Sequence, residues 1–150
     1  MEMRKGYEGE GPNHLMHLVD LVRRRFGDAI RAELADHPYT DVRRSELGLL
    51  LLVPPAGTDL SELAKLTAIT KQSLSEFVEQ LQRAGYLTTE ISPHDRRVKL
   101  IRPTQRGNEA RERILAAGRA VEDSWRSLVG PERFDTMRDV LAHLAAAQPH

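Results

Sequence analysis

The stretch "SPHDRRVKLIRPTQRG", residues 92–107, sets five basic side chains (Arg96, Arg97, Lys99, Arg102 and Arg106) against a single acid, Asp95. The chain of 150 residues carries 22 Lys and Arg against 22 Asp and Glu, a formal net charge of zero. Positive charge is therefore local, and a polyanionic partner must be met by this patch rather than by the protein's bulk charge. Strand patterns flank it. "YLTTEI" (86–91) alternates, with Leu87, Thr89 and Ile91 on one face, and "VKLIR" (98–102) alternates with Val98 and Leu100. The intervening "SPHDRR" is then the tip of a hairpin.

Upstream, Asp59 stands as a cap before "LSELAKL", and after the short turn "TAI", Thr70 caps "KQSLSEFVEQLQRAG". In that second helix Leu74, Phe77, Val78 and Leu81 share one face, and Gly85 fits the position just past its end. Lys71, Gln72, Ser75 and Glu76 lie off the apolar face. Two short helices joined by about four residues outline a helix-turn-helix, or equally a helical hairpin in a core. The charged hairpin that follows at once decides for the first: this is a winged helix. The basic stretch is its wing, able to reach a phosphate backbone or a minor groove.

Further out, residues 1–12 read as a flexible N-terminal arm. Residues 13–44 hold a long amphipathic helix and its connection: Leu15, Leu18, Val19, Val22, Phe26, Ile30 and Leu34 recur at steps of three and four, behind Asn13 as cap, until Pro38 breaks the pattern. "RSELGLLLLV" opens the winged lobe (45–104); it is apolar all round, hence buried, with Ser45 as a cap. Residues 105–150 form two more helices. One carries Ile114, Leu115, Val121, Trp125 and Leu128; the other has Pro131 in its first turn and carries Phe134, Met137, Val140, Leu141 and Leu144. These terminal helices offer more apolar stripe than a winged lobe of about 60 residues can cover, which marks a subunit interface. The expected fold class is mainly α: a winged helix-turn-helix lobe with a two-stranded β wing, plus N- and C-terminal dimerisation helices.

The absence of cysteine excludes disulfides, thiolate metal sites and thiol redox sensing. No apolar run approaches the roughly 18 residues of a spanning helix and the N-terminus has no apolar signal core, so a soluble, cytoplasmic protein is expected, with no membrane partner. His14 and His17, with Asp20 a turn on, could contribute to a metal site, but as polar positions on an amphipathic helix they need no ligand role, and no metal is assigned. No nucleophile–base set, phosphate loop or paired carboxylates are readable, so neither an enzyme nor a cofactor is expected.

Residues 60–107, "LSELAKLTAITKQSLSEFVEQLQRAGYLTTEISPHDRRVKLIRPTQRG", resemble the winged helix-turn-helix of the MarR family of bacterial transcriptional regulators. The most specific part is "PHDRRVKLIRPTQRG": proline, Asp-Arg-Arg, a strand, then Thr and Gly. The resemblance implies a homodimer with interlocking terminal helices. It further implies repression at a pseudo-palindromic duplex DNA operator, relieved by a small aromatic or phenolic effector. Carried over by position, Asp95 would hold Arg97 by a charge-assisted pair and Arg97 would enter the minor groove, with Arg96 and Lys99 beside it. The helix beginning near Thr70 would present Lys71, Gln72, Ser73, Ser75 and Glu76 to the major groove, and Ser61 would approach a phosphate. This sequence departs from the pattern in three places. Ala68 stands where many members have glycine, Glu76 where many have arginine, and Pro103 where leucine is common. Glu76 supplies an acceptor for cytosine in place of a cation. It also keeps open a winged helix that docks on a protein without binding DNA; a metal-responsive sensor of the same fold is the other alternative.

Overall fold

The computed structural model describes residues 14–36, 44–67 and 69–147. The Asn13 cap, the Pro38 break and the turn residue Ala68 lie outside them, as does the side chain of Ser45. The described residues fall into two compact units, one within 34–118 and the other made of 14–33 together with 119–147.

The first unit holds the elements of the winged lobe. These are α2 (Arg44–Leu52), α3 (Leu60–Leu66), α4 (Lys71–Arg83), β1 (Leu87–Ile91), β2 (Lys99–Pro103) and the opening half of α5 (Gln105–Val129). Its core gathers Leu49, Leu50 and Val53 from α2 and its exit, Leu63 from α3, and Leu74, Val78 and Leu81 from α4. Tyr86, Leu87, Ile101 and Ala110 complete it. Both helix starts are closed by side-chain oxygens, which satisfy N–H groups that lack intrahelical partners. Asp59 Oδ1 accepts from Glu62 N–H at 2.9 Å, and Thr70 Oγ1 from Ser73 N–H at 3.3 Å. At the other end of α4, Gly85 takes φ +79°, the left-handed conformation that ends a helix. The end of α2 is held from α5, where Arg111 Nε donates to Leu50 O at 3.1 Å.

β1 and β2 are antiparallel, pairing Leu87 with Pro103, Thr89 with Ile101 and Ile91 with Lys99. Residues directly opposite share a face, so Ile101 accompanies Leu87 into the core, each 3% exposed. This corrects the face expected for the second strand from Val98 and Leu100. Val98 belongs to the tip, where its N–H donates to Asp95 O at 3.0 Å, and Leu100 is only half-buried. The parity is set by a segment with no strand signal of its own: Thr58 and Ile101 exchange two backbone hydrogen bonds, at 2.9 and 2.7 Å. Gly57, at φ +90°, makes that approach possible, since a Cβ there would stand 2.7 Å from Arg102 Cγ.

The second unit holds α1 (Leu15–Glu33), the closing half of α5 and α6 (Pro131–Ala146). Few of its described large apolar side chains are buried: Val121 and Phe134 are, and Phe26 meets Trp125 edge-on at 5.3 Å and 78°. Gly130, at φ +90°, turns the chain between α5 and α6, and Pro131 follows at the first helical position. Arg126 spans this turn with a two-pronged pair to Asp135, at 3.1 and 2.7 Å. That hydrogen bond holds the Asp135 carboxyl below the ordinary carboxylate range and raises Arg126. Large apolar side chains nevertheless stay in solvent along α1, α5 and α6, among them Met16 (75% exposed), Leu128 (82%) and Leu144 (63%).

Candidate nucleic-acid interface

On α4 the side chains of Lys71, Gln72 and Glu76 are exposed, while Ser73 and Ser75 are half-buried. The exposed stripe continues past Glu76 to Glu79 and Arg83, one and two turns on. Sequence reasoning stopped short of these two, although the spacing of seven from Gln72 to Glu79 places them on one face. Glu79 and Arg83 form an exposed pair at 3.8 Å. The acidic middle of this stripe repels phosphates, so it suits base edges better than backbone.

Thr70 is committed to the cap and also bonds the Ser73 hydroxyl at 3.1 Å. Ser61 and Lys71, expected separately on two helices, come together: Lys71 Nζ donates to Ser61 Oγ at 3.4 Å, both exposed. A cation and a hydroxyl side by side at the start of α4 form a ready anion contact. Ser75 faces a cleft of about 200 Å³ between α4 and the hairpin, which Glu79, Gln82, Thr89 and Lys99 also line. A hydrogen bond from Gln82 to Thr89 crosses it.

The wing tip is built by short-range hydrogen bonds. Ser92 N–H donates to Val98 O at 2.9 Å, and Asp95 Oδ1 accepts the backbone N–H of Arg97 at 2.9 Å. This pairing is to the main chain, where a carboxylate–guanidinium pair was expected. It is an Asx-type turn that projects residues 93–97 into solvent. Arg96, Arg97 and Lys99 are all exposed.

The other two basic residues of the opening stretch have partners in the lobe. Arg102 lies across from Thr88, with Nε 3.7 Å from Glu90. Arg106 donates to Ala84 O at 2.7 Å and to the Tyr86 hydroxyl at 3.1 Å, its guanidinium 4.4 Å from the centre of the Tyr86 ring. Tyr86, fully buried, was not foreseen; its place straight after a helix-ending glycine hid it between two elements.

In the other unit a largely apolar cleft of about 490 Å³ opens between α1, α5 and α6, with Val22, Phe26, Trp125, Phe134 and Met137 in its wall. Arg138, paired with Glu122 at 3.3 Å, stands at its edge. His14 Nδ1 accepts from Met16 N–H at 3.2 Å, and Asp20 pairs with Arg23 and Arg24 at 2.8 and 3.0 Å. Among the described residues no group of three or more His, Asp or Glu is gathered as a metal site would need, and no helix is long and apolar enough to cross a membrane.

A capped helix pair whose second member runs into a charged antiparallel hairpin is a winged helix-turn-helix. Residues 40–98, a part of the chain that spans most of this lobe, match the sequence model of the MarR family. Solved structures share this fold over nearly the whole chain. CouR, a transcriptional repressor bound to a 23-mer DNA duplex, is 22% identical with a TM-score of 0.75, covering 95% of this chain and 99% of that one. CouR from Rhodococcus jostii RHA1 has also been solved with p-coumaroyl-CoA (19% identity, TM-score 0.72, covering 92% and 96%). BpsR of Bordetella bronchiseptica, whose DNA binding is regulated by 6-hydroxynicotinic acid, is 18% identical with a TM-score of 0.74, covering 96% and 100%. No curated protein matches the sequence.

Proposed function

We propose that this protein is a homodimeric, sequence-specific DNA-binding regulator, acting as a ligand-responsive repressor and not as an enzyme. The observation that carries the reading is the wing tip, where a local turn presents Arg96 and Arg97 to solvent in a lobe that also exposes one face of α4. Helix α4 enters the major groove with Gln72, Ser73, Ser75 and Glu76. The pair Ser61 and Lys71 contacts a phosphate, and Arg97 enters the minor groove flanked by Arg96 and Lys99. The bare apolar faces of α1 and α6 support a second copy as the partner that covers them. Two lobes then read a pseudo-palindrome whose half-sites lie about one helical turn apart. The likeness to CouR and BpsR supports an aromatic small molecule as effector. It acts by favouring a lobe spacing that mismatches successive grooves.

Glu76 and Glu79 on the exposed face of α4 favour one competing reading, a winged lobe that docks on a basic protein surface. Selection of bound sequences from random duplex DNA separates the two. Enrichment of a symmetric motif, with affinity falling steeply as salt rises, is expected. Failure to enrich any motif at low salt overturns the DNA reading.

A further inference from the structure

The exit of α4 and the exit of the wing are tied together carbonyl by carbonyl. Ala84 O accepts from Arg106 Nη1 at 2.7 Å, Gly85 O from the Thr104 hydroxyl at 2.6 Å, and Tyr86 O from Thr104 N–H at 3.0 Å. The Thr104 hydroxyl in turn accepts from Gly107 N–H at 3.1 Å, closing the first turn of α5. Gly107 has no side chain because a Cβ there would stand 2.0 Å from Tyr86 O. Arg106 closes the set from above, its guanidinium over the buried Tyr86 ring. A cation at this place also lies at the negative end of the α4 dipole.

We propose that Arg106 is a positioning residue that sets how the wing stands on α4, and that it makes no contact with DNA. This rests on the DNA-binding reading of the lobe. The wing leaves the lobe at Leu87 and returns at Pro103, so residues 84–86 and 104–107 are its hinge on both sides. A five-residue strand is about 17 Å long, so a tilt of about 10° at the base would carry the tip roughly 3 Å, half the width of a minor groove. Holding Arg97 in register with α4 therefore needs a stiff base. Arginine suits the role because a planar fork can stack on the ring while donating to Ala84 O and to the Tyr86 hydroxyl.

The test compares Arg106→Gln and Arg106→Lys with the wild-type full-length chain, using the selected operator, at a temperature where all are folded. Arg106→Gln should bind roughly tenfold more weakly, with the slope of log affinity against log salt unchanged. Arg106→Lys should not restore binding, since lysine keeps the charge but not the planar face. Amide exchange at Ala84, Gly85 and Tyr86 should quicken in both variants. Should Arg106→Gln fail to fold, Tyr86→Phe keeps the ring, removes only the hydroxyl, and should weaken binding in the same direction. A slope lower by roughly 2 per dimer, rescued by lysine, would make Arg106 a phosphate contact and overturn the proposal. A lower melting temperature with undiminished affinity would overturn it too, leaving a residue that only stabilises. If the wild-type chain selects no duplex, the DNA-binding reading falls, while unchanged amide exchange would separately show that Arg106 does not hold the exit of α4.

Discussion

Asp95 bends the wing tip by accepting the Arg97 backbone N–H at 2.9 Å, a task that needs an oxygen acceptor but not its charge. Asp95→Asn should therefore keep operator affinity within about twofold, whereas Asp95→Ala should weaken it, because the arginine must then be ordered on binding at a cost on the order of 1 kcal/mol. Simple charge counting predicts the reverse for alanine, since removing an acid beside phosphates should tighten binding. Arg97→Ala should lower the salt slope by roughly 2 per dimer, and the double variant with Asp95→Ala should be no worse, because coupled residues are not additive. Tighter binding by Asp95→Ala, with effects that simply add, would reduce the wing to a basic patch. Glu76 stands exposed one turn from Gln72, and a carboxylate repels phosphate, so in the proposed complex its effect should fall on sequence choice. Glu76→Ala should relax preference at one base pair per half-site, worth about 1–3 kcal/mol of discrimination for a direct contact. An unchanged selected motif would mean that Glu76 faces solvent in the complex.

Helix α6 is joined to α5 by a single glycine and the exposed Arg126–Asp135 pair, and this joint has a pH signature. The Arg126 hydrogen bond holds the Asp135 carboxyl below its unfolded value, so its contribution is present above the ordinary carboxylate range and is lost as pH falls through the depressed folded value. Asp135→Asn should melt slightly lower than wild type at neutral pH, and the gap should close on acidification and in high salt. A gap that persists at acid pH would mean that the variant disturbs packing. The caps of α3 and α4 are readable in the sequence because Asp59 and Thr70 each precede an apolar period, where a short oxygen side chain has one local role. The parity of β2 is not readable, since Leu100 and Ile101 are adjacent and both apolar. A distant residue, Thr58, makes the choice by pairing with Ile101. The same limit hid the latch at Tyr86: its partners Thr104 and Arg106 lie a whole hairpin away, and in a list of charges Arg106 looks like one more wing cation.

The surplus of apolar surface on the terminal helices is legible as a stripe, and in the folded chain it stays in solvent: Val140, Leu141 and Leu144 on α6 are each at least half exposed. A charge placed there should not disturb the single chain. Leu144→Glu should therefore leave helix content intact while shifting the proposed dimer to monomer in light scattering. A variant that remains dimeric would move the interface elsewhere. The cleft lined by Phe26 and Trp125 gives a second handle, because Trp125 is the sole tryptophan and half-buried beside it. The proposed aromatic carboxylate would place its ring among Phe26, Trp125 and Phe134, and its charge would compete with Glu122 for Arg138. Titration with a panel of such acids should change Trp125 fluorescence, and operator affinity should fall over the same concentration range, because a ligand can shift the lobes only by its differential affinity for the two spacings. Arg138→Ala should weaken the acids while leaving uncharged aromatic analogues unaffected. If fluorescence responds and operator affinity does not, the cleft binds aromatics without controlling the lobes. If neither responds across the panel, the apolar wall belongs wholly to the second copy, and the effector, if aromatic, must enter elsewhere.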